Sequence, residues 1–127
     1  HAGGLRYHGM APTVSQLVNE GLITPQSVSQ LDSFKAGVLW ARCEGVIPAP
    51  ETTNALAQVF IEAEKAKQEG KEKVILFNFS GHGLLDLAGY EKYFTGELTD
   101  FELSDEQMQE SMKVFADFPK PQDLKSS

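Results

Sequence analysis

Lys73-Val74-Ile75-Leu76-Phe77-Asn78-Phe79-Ser80-Gly81-His82-Gly83-Leu84-Leu85-Asp86 decides how this chain is read. From Lys73 to Phe79 nearly every position is apolar, and the run is rich in branched and aromatic residues. That is the composition of a parallel strand covered on both faces. The run ends in residues too small to block a ligand, and the carboxyl end of such a strand is where open α/β sheets bind small molecules. The Ser80 hydroxyl, the His82 imidazole and two glycines arrive there together, so polar groups and close backbone approach share one spot. On this pattern alone Ser80 is either a ligand contact or a strand-end serine that caps the next turn.

Working outward, the punctuation predicts helices on both sides. The first runs from Pro12, a good first-turn residue, through Val14, Leu17 and Val18 to Gly21. A weak strand is expected at Ile23 to Val28. Ser29 and Asp32 then fit a capping pattern ahead of Leu31, Phe34, Val38 and Ala41, in a helix that ends near Gly45. A third helix follows Pro48-Ala49-Pro50, buries Leu56, Val59, Phe60, Ala63 and Ala66 at helical spacing, and stops at Gly70. A last one is signalled by Ser104 and Gln107, places Met108, Met112 and Phe115 on one face, and is expected to lie on the sheet as an appendage. Pro119 forbids its continuation, and Pro119 to Ser127 reads as a frayed tail. Trp40 and the phenylalanines are assigned to core faces, and the charge run from Glu62 to Lys73 to a solvated helix face. The fold class is α/β, a partial, mostly parallel sheet flanked by helices. One strong strand and one weak one fall short of an ordinary sheet, so missing strands are expected in a segment outside this sequence, with open edges that pair with another chain.

Composition narrows the function. A chain of 127 residues with 41% hydrophobic and 23% charged residues is sized for one core. Its net charge is -7 and its eleven Lys and Arg residues are scattered, which argues against a nucleic-acid partner. No apolar run approaches the roughly 20 residues of a membrane-spanning helix. The lone Cys43 has no partner for a disulfide or a metal knuckle, and a reducing, cytoplasmic location is expected. The chain opens His1-Ala2-Gly3-Gly4 without a Met or a signal segment, so it is expected to start inside a longer protein. A serine-hydrolase elbow would need Gly where Asn78 stands. His1, His8, His82 and Cys43 show no recognised metal-ligand spacing.

Three blocks carry a family resemblance: Gly3-Gly4-Leu5-Arg6-Tyr7-His8-Gly9, Glu44-Gly45-Val46-Ile47-Pro48-Ala49-Pro50-Glu51, and Phe79-Ser80-Gly81-His82-Gly83. In order and spacing they resemble the closing third of the tryptophan synthase beta chain, nearest to its second type. The resemblance runs from Ala2 to about Phe94. It implies a catalytic-core segment over 1–94 and a variable C-terminal helix and tail over 95–127. For the parent protein it implies a fold-type-II pyridoxal phosphate enzyme, a homodimer, that joins serine and indole by β-replacement to give L-tryptophan. A tryptophan synthase alpha chain is a candidate partner.

The lysine that anchors the cofactor covalently and the Gly/Ser-rich phosphate loop both lie upstream in that family. No catalytic residue is therefore assigned here, and the chain alone is expected to be inactive without its N-terminal part. Ser80, followed by Gly81, matches the serine whose hydroxyl contacts the pyridine nitrogen of the cofactor. Glu44 matches a glutamate beside the cofactor. At a helix C-terminus its carboxylate faces the negative end of the dipole, at a cost of about 0.3–1 kcal/mol that a partner or a function should offset. Glu51 opens the next helix, where negative charge is favoured, and is read as structural. Arg6 stands where the ordinary beta chain carries an aspartate near the substrate. Its guanidinium fork suits a phosphorylated or otherwise anionic amino acid, unless it serves a surface ion pair. Tyr7 and Gly9 match a segment whose backbone carbonyls bind a monovalent cation. The alternative reading is a non-catalytic small-ligand-binding or interaction domain on the same scaffold.

Overall fold

The computed structural model describes residues 9–101 and 103–118. Five α-helices occur among them: α1 Pro12–Asn19, α2 Gln30–Glu44, α3 Pro50–Glu69, α4 Leu87–Phe94 and α5 Asp105–Met112, the last followed by a 3-10 turn at Lys113–Phe115. Local chemistry sets their ends. The Ser29 hydroxyl accepts the Asp32 N–H at 3.2 Å to start α2, whereas α3 starts on Pro50, which has no N–H to leave unpaired. Gly45 and Gly70 close α2 and α3 in the left-handed conformation, as the punctuation predicts.

The centre is the seam between α2 and α3. Ala36 from α2 meets Leu56 and Ala57 from α3, and these three and Phe34 of α2 are each 5% exposed or less. Small residues let the helices approach closely. A Cβ on Gly37 would lie 2.5 Å from Thr53 Cγ2 and 2.7 Å from the Tyr90 hydroxyl, so glycine is required where α2, α3 and α4 converge. Phe34 fills the junction, edge-on to Tyr90 at 5.1 Å and stacked on Tyr93 at 5.8 Å.

Several expectations need correction. Lys73 to Phe79 is extended but has no ladder partner, and no strand occurs among the described residues. A ladder needs a neighbouring backbone, and none of the described residues provides one. Among the described residues only an isolated antiparallel bridge, Pro48 to His82, is formed. The partial parallel sheet is thus not formed within these residues. The run still keeps the two-residue period of a strand: Ile75, Phe77 and Phe79 are half-buried, while Val74 and Leu76 are each 97% exposed. Phe77 and Phe79 cover Trp40 at centroid distances of 5.5 and 5.9 Å.

Ile23 to Val28 forms no strand, consistent with Pro25 removing a donor from its middle. Ala63 is exposed, and Ala57 takes the core place instead. The capping box of α5 is present, with Gln107 N–H to Ser104 Oγ at 3.3 Å and Ser104 N–H to Gln107 Oε1 at 3.1 Å. Every residue of α5 is nevertheless exposed, so it is not packed down as an appendage. Phe94, Phe101, Phe115 and Phe118 are also exposed rather than core. The helix α4 went unanticipated, because it is short, carries Gly89 and has no side-chain cap bond. The charge run behaves as expected. Lys65 lies 2.9 Å and Lys73 3.8 Å from the Glu62 carboxylate, and the Lys65 hydrogen bond above all holds that carboxyl below its ordinary range. Residues 119–127 lie outside the described residues.

Two segments more than thirty residues apart are clamped beside this core. Ala49 N–H donates to Gly81 C=O at 2.9 Å and Gly83 N–H to Ile47 C=O at 2.7 Å. From α4 the Tyr90 hydroxyl donates to Pro48 C=O at 2.6 Å. Gly83 must be glycine here, since a Cβ would fall 2.3 Å from the Pro48 carbonyl oxygen. On Gly81 it would meet only the Ala49 methyl, at 3.4 Å. Gly83→Ala should therefore cost stability at the upper end of the roughly 1–3 kcal/mol typical of overpacking. Gly81→Ala should change it by under about 0.5 kcal/mol. Denaturant titration of both variants checks this, and equal losses would refute the clamp geometry.

Burial, with the Asp86 carboxylate adding to it, pushes the Tyr90 phenol from 10.0 up to about 12. The folded state holds this proton more tightly than the unfolded one. The associated stability is therefore complete below pH 10 and is lost as the pH rises towards 12. Stability measured across that window should fall in the parent chain and fall less in Tyr90→Phe. Identical slopes would show that Tyr90 is not the group responsible.

Candidate functional site

The clamp brings two of the three singled-out blocks side by side, with Ser80 at their junction. Thr52, the third residue of α3, is 1% exposed and reaches across the junction. Its hydroxyl accepts Gly81 N–H at 3.1 Å, lies 3.2 Å from Gly81 C=O as a donor, and lies 3.0 Å from Ser80 Oγ. The polar side chains around it are held internally. Thr53 Oγ1 donates to Pro50 C=O at 2.7 Å, and Ser33 Oγ donates to Asn54 Oδ1 at 2.9 Å, tying the start of α3 to α2. Ser33, Thr52 and Thr53 are buried, whereas Ser80 is exposed. The junction thus offers an exposed serine whose hydroxyl is held by a buried partner.

The other expected residues are placed differently. Gly81 is half-buried in the clamp, and both its backbone groups are engaged by Thr52 and Ala49. Glu44 is the last residue of α2; it is exposed, and its carboxylate forms no hydrogen bond or ion pair among the described residues. No bond joins it to Ser80 or Gly81. His82 accepts the Leu84 N–H on Nδ1 at 3.3 Å, so its imidazole serves the turn. Gly9 is exposed with open space around it. Arg6 and Tyr7 lie outside the described residues. Among the described residues no group of three or more His, Cys, Asp or Glu could hold a metal ion, and no helix is long and apolar enough to cross a membrane. A hollow of about 510 Å³ lies between α2 and α3, with Ala36, Ala57 and Phe60 in its wall and Lys35 and Glu64 among its charged residues. It contains none of the expected site residues.

Thr52 is the residue that sequence reasoning missed. The available signal was the Thr52-Thr53 pair in a first helical turn, where hydroxyls bond to nearby backbone outside the helix ladder. Tyr90 offered no signal, because its helix was not recognised.

A cofactor of the pyridoxal phosphate type needs a ring-nitrogen partner, a covalent anchor and a phosphate cradle. The exposed Ser80 hydroxyl, backed by Thr52, fits the first requirement. Every described lysine is exposed, so none has the desolvated setting that activates an amine for covalent chemistry.

No protein-family model matches the chain. Curated relatives do. The chain is 56% identical over 105 residues to tryptophan synthase beta chain 2 of Pyrococcus abyssi, covering 83% of this chain and 24% of that protein. It is 58% identical over 102 residues to the tryptophan synthase beta chain of Thermococcus gammatolerans, covering 80% and 23%. It is 55% identical over 100 residues to tryptophan synthase beta chain 2 of Aquifex aeolicus, covering 79% and 23%. The chain therefore spans about a quarter of the length of the curated relatives it matches. With more than half of the aligned residues identical over about four fifths of its length, this chain belongs to the tryptophan synthase beta-chain family as a segment of such a protein.

Proposed function

We propose that the chain is the ring-nitrogen segment of a pyridoxal-phosphate-dependent lyase that joins serine, or phosphoserine, to indole and yields L-tryptophan. The observation that carries this reading is the meeting of Glu44–Glu51 and Phe79–Gly83, with the exposed Ser80 at their junction and its hydroxyl held by Thr52. Pyridoxal phosphate, when bound, supplies the electron sink that β-replacement needs. Ser80 provides a neutral partner for the ring nitrogen. A carboxylate there would hold that nitrogen protonated and favour transamination, whereas a hydroxyl favours elimination and replacement at the β-carbon. Gly81 keeps the approach to the ring low. Glu44 sits beside the ring once the rest of the protein is in place, and Arg6 takes the anionic end of the amino-acid donor. Tyr7 and Gly9 hold a monovalent cation through backbone carbonyls.

The same reading accounts for the bare face of Lys73–Phe79. Val74 and Leu76 are 97% exposed, and covering each would contribute roughly 1.5–3 kcal/mol. The indole N–H of Trp40 is buried with no hydrogen-bond partner among the described residues, at a cost of about 1–3 kcal/mol. The remaining part of the same enzyme supplies the neighbouring parallel strands and completes the α/β sheet. The finished protein is a homo-oligomer.

Complementation tests this directly. The 127-residue chain, given serine, indole and pyridoxal phosphate, should form no tryptophan. Mixed with the Pyrococcus abyssi beta chain lacking the matching segment, it should restore tryptophan formation, with sedimentation showing both pieces in one particle. Within that complex Ser80→Asp should raise transamination relative to β-replacement. Turnover by the chain alone, or an unchanged product ratio in Ser80→Asp, would overturn the reading.

Donor choice rests on Arg6. In the same complex Arg6→Asp should lower kcat/KM for phosphoserine about tenfold more than for serine, since one charge-assisted contact becomes a repulsion. Equal losses on the two donors would place Arg6 in a surface ion pair instead.

A further inference from the structure

The hydroxyl of Thr52 has more neighbours than it can serve with one proton. It accepts Gly81 N–H, and it can donate either to Gly81 C=O at 3.2 Å or to Ser80 Oγ at 3.0 Å, but not to both. Gly81 C=O already accepts Ala49 N–H at 2.9 Å and so stays satisfied in either arrangement. When Thr52 donates to Gly81, Ser80 must donate inward to Thr52 and presents only lone pairs outward. When Thr52 donates to Ser80, the Ser80 proton is released to point outward. Ser80 then accepts one hydrogen bond while giving another, which strengthens it as a donor. Because Thr52 is 1% exposed, no solvent competes for its proton.

We infer that Thr52 is the positioning residue of Ser80: it fixes the side-chain rotamer and, by rotating one buried hydroxyl, sets whether Ser80 faces its ligand as donor or acceptor. This rests on the reading of Ser80 as the ring-nitrogen contact. An unprotonated heteroaromatic nitrogen selects the arrangement in which Thr52 donates to Ser80. A protonated nitrogen selects the other. The exchange moves a single hydrogen bond between two adjacent acceptors, so the site accommodates either state of the ring without moving the backbone.

The chain itself allows the test. In the 127-residue protein the Ser80 α–β proton couplings, read by NMR, should show one dominant rotamer. Thr52→Val should average them and speed exchange of the Gly81 amide about tenfold, while Thr52→Ser should restore both. Rotamer averaging already present in the parent chain would overturn the inference. So would a Thr52→Val chain with Ser80 still fixed, or a folded Thr52→Ser chain with Ser80 released. If Thr52→Val does not fold, the parent and Thr52→Ser measurements still decide. A second readout separates this inference from the reading beneath it. In the complemented complex the ring-nitrogen resonance of bound pyridoxal phosphate should shift in Ser80→Ala and, in the same direction, in Thr52→Val, but not in Thr52→Ser. An unmoved resonance in Ser80→Ala would refute the ring contact. A shift in Ser80→Ala without one in Thr52→Val would refute only the role of Thr52.

Discussion

The backbone pairing of Ile47–Ala49 with Gly81–Gly83 is the constraint on which the rest of the junction depends. Two short hydrogen bonds join a loop that leaves α2 to a loop that leads into α4, and the Tyr90 hydroxyl fastens the shared Pro48 carbonyl from below. Three buried polar groups thus find partners at one point, where a single orphan would cost about 1–3 kcal/mol. Glycine at 83 is a steric consequence of that pairing, because the Pro48 oxygen occupies the space a side chain would need. Everything offered outward at the junction is offered from this fixed frame.

The frame is supported by an unusually fine-grained seam. Ala36, Gly37 and Ala57 keep α2 and α3 close enough for Thr53 and Tyr90 to share the space beside Gly37. Phe34 supplies the bulk that these small residues lack, held between two tyrosine rings. Packing is therefore dense around the start of α3 and thins towards its far end, where Ala66 is buried but Ile61 and Ala63 are exposed. The hydroxyls of Ser33, Thr52 and Thr53 are tolerated in this core because each has a partner within hydrogen-bond distance.

Against that dense side stands the open side of the extended run. An extended run that alternates, half-buried on Ile75, Phe77 and Phe79 and bare on Val74 and Leu76, has the side-chain period of a sheet member without the sheet. An unpaired edge with an apolar face invites another backbone. Its relatives are roughly three and a half times as long as this chain.

The amino-acid sequence by itself determined the helices at α2 and α3, their glycine stops, the extended character of Lys73–Phe79 and the family, because these are written in local patterns: caps, helical spacing and contiguous motifs. The position of Ser80 at the end of that run was legible for the same reason. It did not reveal which face of the run would be covered, since a run apolar at nearly every position carries no preference between its sides. Nor did it reveal α4, whose Gly89 hides the helical signal, or the idle apolar face of α5, since spacing tells which residues share a face and not whether anything lies against it. Thr52 illustrates the division most clearly. A threonine in a first helical turn is ordinary in sequence, and only the tertiary pairing of residues 47–49 with 81–83 carries Gly81 and Ser80 onto its hydroxyl. Hydrogen bonds between groups twenty-eight and twenty-nine positions apart exist only after the chain has folded.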